Sequence, residues 1–168
     1  MGGTVAASSI NETCNSLQKL DMHGIKTTTL YSTPLRGAIL YDWCPNLLEL
    51  NVPTLVKTGD ELDIGDSFMC NYGAGVSHPS LKTIDCSVFK DATSIGDRFL
   101  SYCKTIKTIN LAALTNIKKI GDYFLDMRGG LGEPSIVDLD LSSFTNLEEI
   151  GGSFLCMCNN LENLKFPS

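Results

Sequence analysis

The pattern Ile-Gly-x-x-Phe occurs four times in this chain, and no other feature restricts the fold as strongly. The copies begin at Ile64, Ile95, Ile120 and Ile150. The first three continue as Gly-Asp, whereas the fourth reads Ile150-Gly151-Gly152. The aromatic partners are Phe68, Phe99, Phe124 and Phe154. Self-similarity of this kind is the mark of a chain built from stacked supersecondary units, each too small to bury its own apolar face.

Extending the pattern outward gives a unit of 25 residues. Its first, fourth and sixth positions are apolar. They read Leu47, Leu50 and Val52; Leu81, Ile84 and Cys86; Ile106, Ile109 and Leu111; Ile136, Leu139 and Leu141. The outermost sets are Leu17, Leu20 and Met22 at one end and Leu161, Leu164 and Phe166 at the other. Units therefore start near residues 17, 47, 81, 106, 136 and 161. Two of the spacings are the bare unit, and the wider ones imply insertions near residues 28–36, 57–61, 73–79 and 129–134. Gly and Pro punctuate these stretches, as surface loops require.

Alternation at positions three to six predicts a short half-buried strand. In the Ile-Gly-Asp segment, Gly is expected to turn the chain at positive φ and Asp to cap a helix of one or two turns holding the Phe. The expected architecture is α/β: a solenoid of about five units plus a final strand, forming one domain over residues 1–168. Its parallel sheet would be concave and its short helices convex. The Phe column is the expected spine of the core.

These residues resemble the BspA-type leucine-rich repeats. The likeness rests on Leu81-Lys82-Thr83-Ile84 followed by Ile95-Gly96-Asp97-Arg98-Phe99 and Cys103, and it recurs from Ile106 to Arg128 and from Ile136 to Cys158. It implies the repeat fold and a protein-interaction scaffold, often of cell-surface adhesion type. Such folds host many unrelated partners, so function has to be argued from the surface.

The outward strand positions supply the candidate binding strip. The fifth position reads Asp21, Asn51, Asp85, Asn110, Asp140 and Lys165, and the third includes Glu49 and Asp138. One reading is an acidic recognition strip for a basic protein partner, formed by Asp21, Glu49, Asn51, Asp85, Asn110, Asp138 and Asp140. The other is an Asp/Asn ladder satisfied within the protein, because like charges on adjacent strands repel and intervening Asn relieves them. A net charge of −6 sets the chain against nucleic-acid binding. The apolar final strand suggests end-to-end self-association as an alternative mode of partnering.

Signals for chemistry are lacking. The two histidines, His23 and His78, fall in no catalytic constellation. Seven cysteines mostly occupy packing positions, among them Cys86 and the repeat's 23rd position at Cys44, Cys103 and Cys158. Cys70 and Cys156, at the 21st position, are the thiols expected to be most exposed. Cys156-Met157-Cys158 has no second pair at zinc spacing. The expectation is a non-enzyme with no cofactor or metal. No apolar run is long enough to span a bilayer, so membrane insertion is not expected. Met1 to Ile10 shows no signal peptide, which favours the cytoplasm, whereas the family resemblance points to the cell surface.

Overall fold

A computed structural model describes residues 16–21, 26–27, 46–51, 54–55, 63–70, 80–129 and 132–168. His23, His78, Trp43, Cys44, Met22, Val52 and the insertions at 28–36, 57–61 and 73–79 lie outside them.

Period-two patterning forms strands where it is expected. Three-residue strands lie at β1 (Lys19–Asp21), β3 (Glu49–Asn51), β6 (Thr83–Asp85), β8 (Thr108–Asn110), β10 (Asp138–Asp140) and β12 (Asn163–Lys165). Two-residue strands lie between them: β2 (Lys26–Thr27), β4 (Thr54–Leu55), β5 (Asp63–Ile64), β7 (Ser94–Ile95), β9 (Lys119–Ile120) and β11 (Glu149–Ile150). All pairings are parallel, and they join residues that the sequence pattern makes equivalent. Leu20, Leu50, Ile84 and Ile109 stand in one row, as do Ile64, Ile95, Ile120 and Ile150. The three-residue strands make two separate sheets, β1-β3-β6-β8 and β10-β12. The order β5-β7-β9-β11 runs unbroken, and β2 pairs with β4. The class is thus mixed and parallel-stranded with almost no helix.

One cluster of buried apolar side chains runs from Leu47 to Phe144 between these sheets. Its aromatic column is continuous. Phe68, Phe99, Phe124 and Phe154 stack at centroid spacings of 5.3, 5.3 and 5.4 Å, with planes within 17° of parallel. Each ring fills the space left by its neighbours, so the column links every unit it crosses.

The expected short helices are absent where the Phe-Leu pairs lie. Among the described residues the only helical piece is a 3-10 turn at Ser87–Phe89. The Phe segments instead adopt turns with left-handed residues on both sides of the ring: φ is 59° at Arg98 and 52° at Leu100, 62° at Tyr123 and 49° at Leu125, and 56° at Ser153 and 54° at Leu155. Each closes a turn, with the Ser101 amide donating to Arg98 O (3.2 Å) and the Asp126 amide to Tyr123 O (3.2 Å). Positive φ at the third residue of the turn is the type II pattern. The remaining amides bond to neighbouring units rather than along the segment. Leu125 donates to Phe99 O and Leu155 to Phe124 O, both at 2.9 Å. A non-glycine residue in this conformation costs about 1–2 kcal/mol. The backbone is satisfied between units, and consecutive residues such as Phe99, Leu100 and Ser101 are all buried.

The roles expected for glycine and aspartate also change. Among the described residues the glycines with positive φ are Gly129 and Gly132, not those of the repeated pattern. At Gly121 an added Cβ would sit 2.7 Å from the Asp97 amide nitrogen and 2.7 Å from the Gly96 carbonyl carbon. Gly96 and Gly151 meet the preceding unit as closely. Glycine is therefore required by backbone contact between units. Nor does the aspartate cap a helix. Asp66 Oδ1 accepts the Asp97 amide (2.8 Å), Asp97 Oδ1 the Asp122 amide (2.8 Å) and Asp122 Oδ1 the Gly152 amide (2.6 Å). This carboxylate ladder ends at Gly152, which has no side chain to extend it.

Candidate functional site

The three-residue strands place alternate side chains on opposite faces. Leu50, Ile84 and Leu139 point into the core, and the third and fifth positions point away from it. Register brings the candidate strip together on one face: Asp21 beside Asn51, Asn51 beside Asp85, and Asp85 beside Asn110. Glu49, Asn51, Thr83, Asp85, Thr108 and Asn110 line a shallow depression of about 190 Å³. Asp138 and Asp140 belong to the second sheet, beyond the break between β8 and β10.

Much of the strip is already hydrogen-bonded within the chain. Asn110 Nδ2 donates to Asp85 Oδ1 (3.0 Å), which also accepts the Ser87 amide (2.9 Å). Asn163 Nδ2 donates to Asp138 Oδ1 at 2.6 Å. Lys19 Nζ stands 2.7 Å from Glu49, and Lys165 Nζ stands 3.4 Å from Asp140. Asp140 also accepts the Ser142 amide at 2.9 Å. The Ser142 hydroxyl and amide, and then Lys165, hold the Asp140 carboxyl below its usual range. The alternation of Asp with Asn or Lys thus works as a ladder of cross-strand pairs. Both lysine pairs are exposed, so each is worth at most about 1 kcal/mol.

The thiols differ from expectation at one position. Cys70 is buried at 5% exposure and Cys156 is half-buried, so the pair is not the exposed set anticipated. The turns that replace the helix direct the 21st position inward, where Ser101 and Asp126 are also fully buried. The 23rd position has a polar task beyond filling space. The Cys103 thiol donates to Met69 O (2.9 Å) and the Cys158 thiol to Leu125 O (3.2 Å), each carbonyl belonging to the preceding unit. Burial pushes the Cys86 thiol strongly up, and burial with Asp126 and Cys156 nearby pushes Cys158 up to about 11.

One cluster had no anticipated role. The Asp126 carboxylate is fully buried and is held by Arg128 through Nε (2.9 Å) and Nη2 (2.7 Å). The pairing raises the Arg128 pKa above its ordinary range. Arg98 and Arg128 both lie over the Tyr123 ring, at 4.8 and 5.3 Å from its centroid. The available signal was Arg128, which replaces the cysteine of the 23rd position two residues after Asp126; Asp126 itself shares the 21st position with Asp42, Cys70, Ser101 and Cys156. The arrangement pairs a buried carboxylate with a partly exposed guanidinium.

Among the described residues no group of three His, Cys, Asp or Glu side chains could hold a metal ion, and no helix is long and apolar enough to cross a membrane. Comparison of the chain with protein-family models, with curated proteins and with solved structures found no match.

Proposed function

We propose that the chain is a non-catalytic protein-interaction module, a leucine-rich-repeat solenoid of the BspA type that recognises a basic segment across its strand face. The observation that carries this reading is the row of outward side chains in parallel register, Asp21, Asn51, Asp85 and Asn110, with Glu49 alongside. Asp138 and Asp140 extend the acidic surface on the second sheet. The even spacing of such a row suits a segment lying across several strands, with Lys or Arg side chains meeting successive carboxylates. The test is fluorescence anisotropy with a labelled Lys/Arg-rich peptide and its Asp/Glu counterpart. The basic peptide should bind in a salt-sensitive manner, and Asp85→Lys with Asp140→Lys should abolish binding while leaving the circular dichroism spectrum intact. Undiminished binding to that double variant would move the interface off this face.

A second reading, an assembly subunit joined through its ends, is favoured by the last unit. Ile150, Met157, Leu164 and Phe166 are large exposed apolar residues gathered there. Sedimentation at rising concentration tests it. Association that Phe166→Asp removes would favour assembly, and a constant monomer mass would exclude it.

A further inference from the structure

The break between β8 and β10 is local, and its limits are well marked. At each neighbouring step, the carbonyl just before a strand accepts two amides from the next unit. Gln18 O accepts Leu48 and Glu49, Leu48 O accepts Lys82 and Thr83, Lys82 O accepts Lys107 and Thr108, and Val137 O accepts Glu162 and Asn163. By the same rule Lys107 O would accept the Val137 and Asp138 amides, yet neither bond forms. At the other strand end, the Cys86 amide donates to Asn110 O and the Leu141 amide to Lys165 O. The equivalent bond, from the Leu111 amide to Asp140 O, is also missing.

The parting is pinned at both ends. The Ser135 amide donates to Lys104 O (2.7 Å) before it, and Ser143 Oγ donates to Leu111 O (3.1 Å) after it. Behind it the two units stay joined, with Lys118 O accepting Glu148 and Glu149 and Ile120 O accepting Gly151. At its mouth lies a cavity of about 150 Å³, lined in part by Asn110, Leu111, Asp140, Ser142 and Ser143. Strands at equivalent positions of the repeat, tied together on either side and unbonded between the ties, can complete their ladder by approaching one another. Bonds to water in the slit and bonds between the strands are close alternatives.

We propose that this slit is a two-state element: the strand face opens and closes between β8 and β10 while the β9–β11 ladder behind it stays paired. Closure brings Asn110 beside Asp140, so that its amide group can pair with either Asp85 or Asp140, and the two acidic parts of the face become one surface. This property is independent of what the face binds.

Amide exchange and relaxation dispersion by nuclear magnetic resonance on the full chain test the proposal. The Val137, Asp138 and Leu111 amides should exchange roughly a hundredfold faster than those of Cys86, Gly121 and Leu141. Dispersion on the microsecond-to-millisecond scale should be confined to residues 107–111 and 137–141. Ser143→Ala, which removes one pin, should enlarge that dispersion without altering protection at Gly121 and Gly151. Protection equal to that of Cys86 would mean that the face is permanently closed. Rapid exchange without dispersion would mean a fixed opening, and an unresponsive Ser143→Ala would mean that the pins do not govern the slit. Each of these results overturns the proposal.

Discussion

Gly121→Ala isolates the cause of the repeated glycine. An alanine Cβ at this position would stand 2.7 Å from the Asp97 nitrogen and 2.7 Å from the Gly96 carbonyl carbon. Both are backbone atoms of the adjacent unit, so no rotamer change relieves the clash. Forcing a methyl group into a filled site costs about 1–3 kcal/mol. The same displacement strains the Asp122 amide bond to the Asp97 carboxylate, and hydrogen bonds to charged groups are worth about 1.5–3 kcal/mol. A combined loss of up to about 2.5–6 kcal/mol follows, equivalent to a melting point lower by about 5–20 °C for a chain of this size. Thermal unfolding followed by circular dichroism measures it, and Gly152→Ala is the control. Its Cβ would meet the nearest oxygen, Asp122 Oδ1, at 3.6 Å, an ordinary contact, so its melting point should stay close to the parent's. Asparagine separates the two explanations of the glycine. If a left-handed turn were the requirement, Gly121→Asn would be milder than Gly121→Ala; backbone contact makes it at least as severe. Equal melting points for Gly121→Ala and Gly152→Ala would refute the close-approach argument.

Phe99→Ala should cost about 3–5 kcal/mol in urea unfolding, because the ring is fully buried and stacked between Phe68 and Phe124; a midpoint within error of the parent would break the claim that the column supports the core. In native protein at mildly alkaline pH, iodoacetamide should leave Cys86, Cys103 and Cys158 largely unmodified, since two are buried and the third has its pKa pushed up to about 11. Mass spectrometry that found Cys103 alkylated before unfolding would contradict that packing. The depressed Asp140 pKa sets the sign of a pH effect: its contribution is present above the unfolded carboxylate value, near 3.9, and is lost as pH falls through the lower folded value. Melting curves between about pH 2 and 5 should therefore fall less steeply for Asp140→Asn than for the parent, and parallel curves would exclude the linkage.

The strand positions and the inward apolar set were legible because side-chain alternation and burial are local properties of a sequence. Leu50, Ile84 and Leu139 are buried at the positions that their spacing assigns. The Phe column was legible for the same reason. The conformation around it was not. Phe, Leu and a polar residue three apart fit a helical turn as well as a type II turn, and nothing in Arg98 or Leu100 advertises positive φ. What decides between them is the adjacent unit, whose carbonyls accept these amides. Gly121 and Asp97 were noticed but given the wrong cause, since contact between units about 25 residues apart leaves the same glycine as a local turn would. The register that sets Asp21, Asn51, Asp85 and Asn110 side by side follows from the repeat spacing, yet the break beside Asn110 could not be read, because Thr108–Asn110 has the same pattern as the strands that do pair on both sides.

The internal ladder changes what should be expected of the strip. Glu49 has Lys19 at 2.7 Å and Asp140 has Lys165 at 3.4 Å, so two carboxylates proposed to meet a basic partner already have cations beside them. A partner must displace these lysines, and the gain from each contact is the difference between two exposed ion pairs. Such differences are small and screened by salt. Binding through this face should thus be weak at physiological ionic strength and steeply salt-dependent. The argument has a consequence opposite to that of ordinary alanine scanning. Lys19→Ala and Lys165→Ala remove the internal competitors while costing little stability, about 0–1 kcal/mol for each exposed pair. Together they should tighten binding of the basic peptide several-fold at low salt, and the advantage should vanish as salt rises. If the double variant binds no more tightly than the parent, or more weakly, the lysines are not competitors and the strip is only a ladder that holds the strands in register.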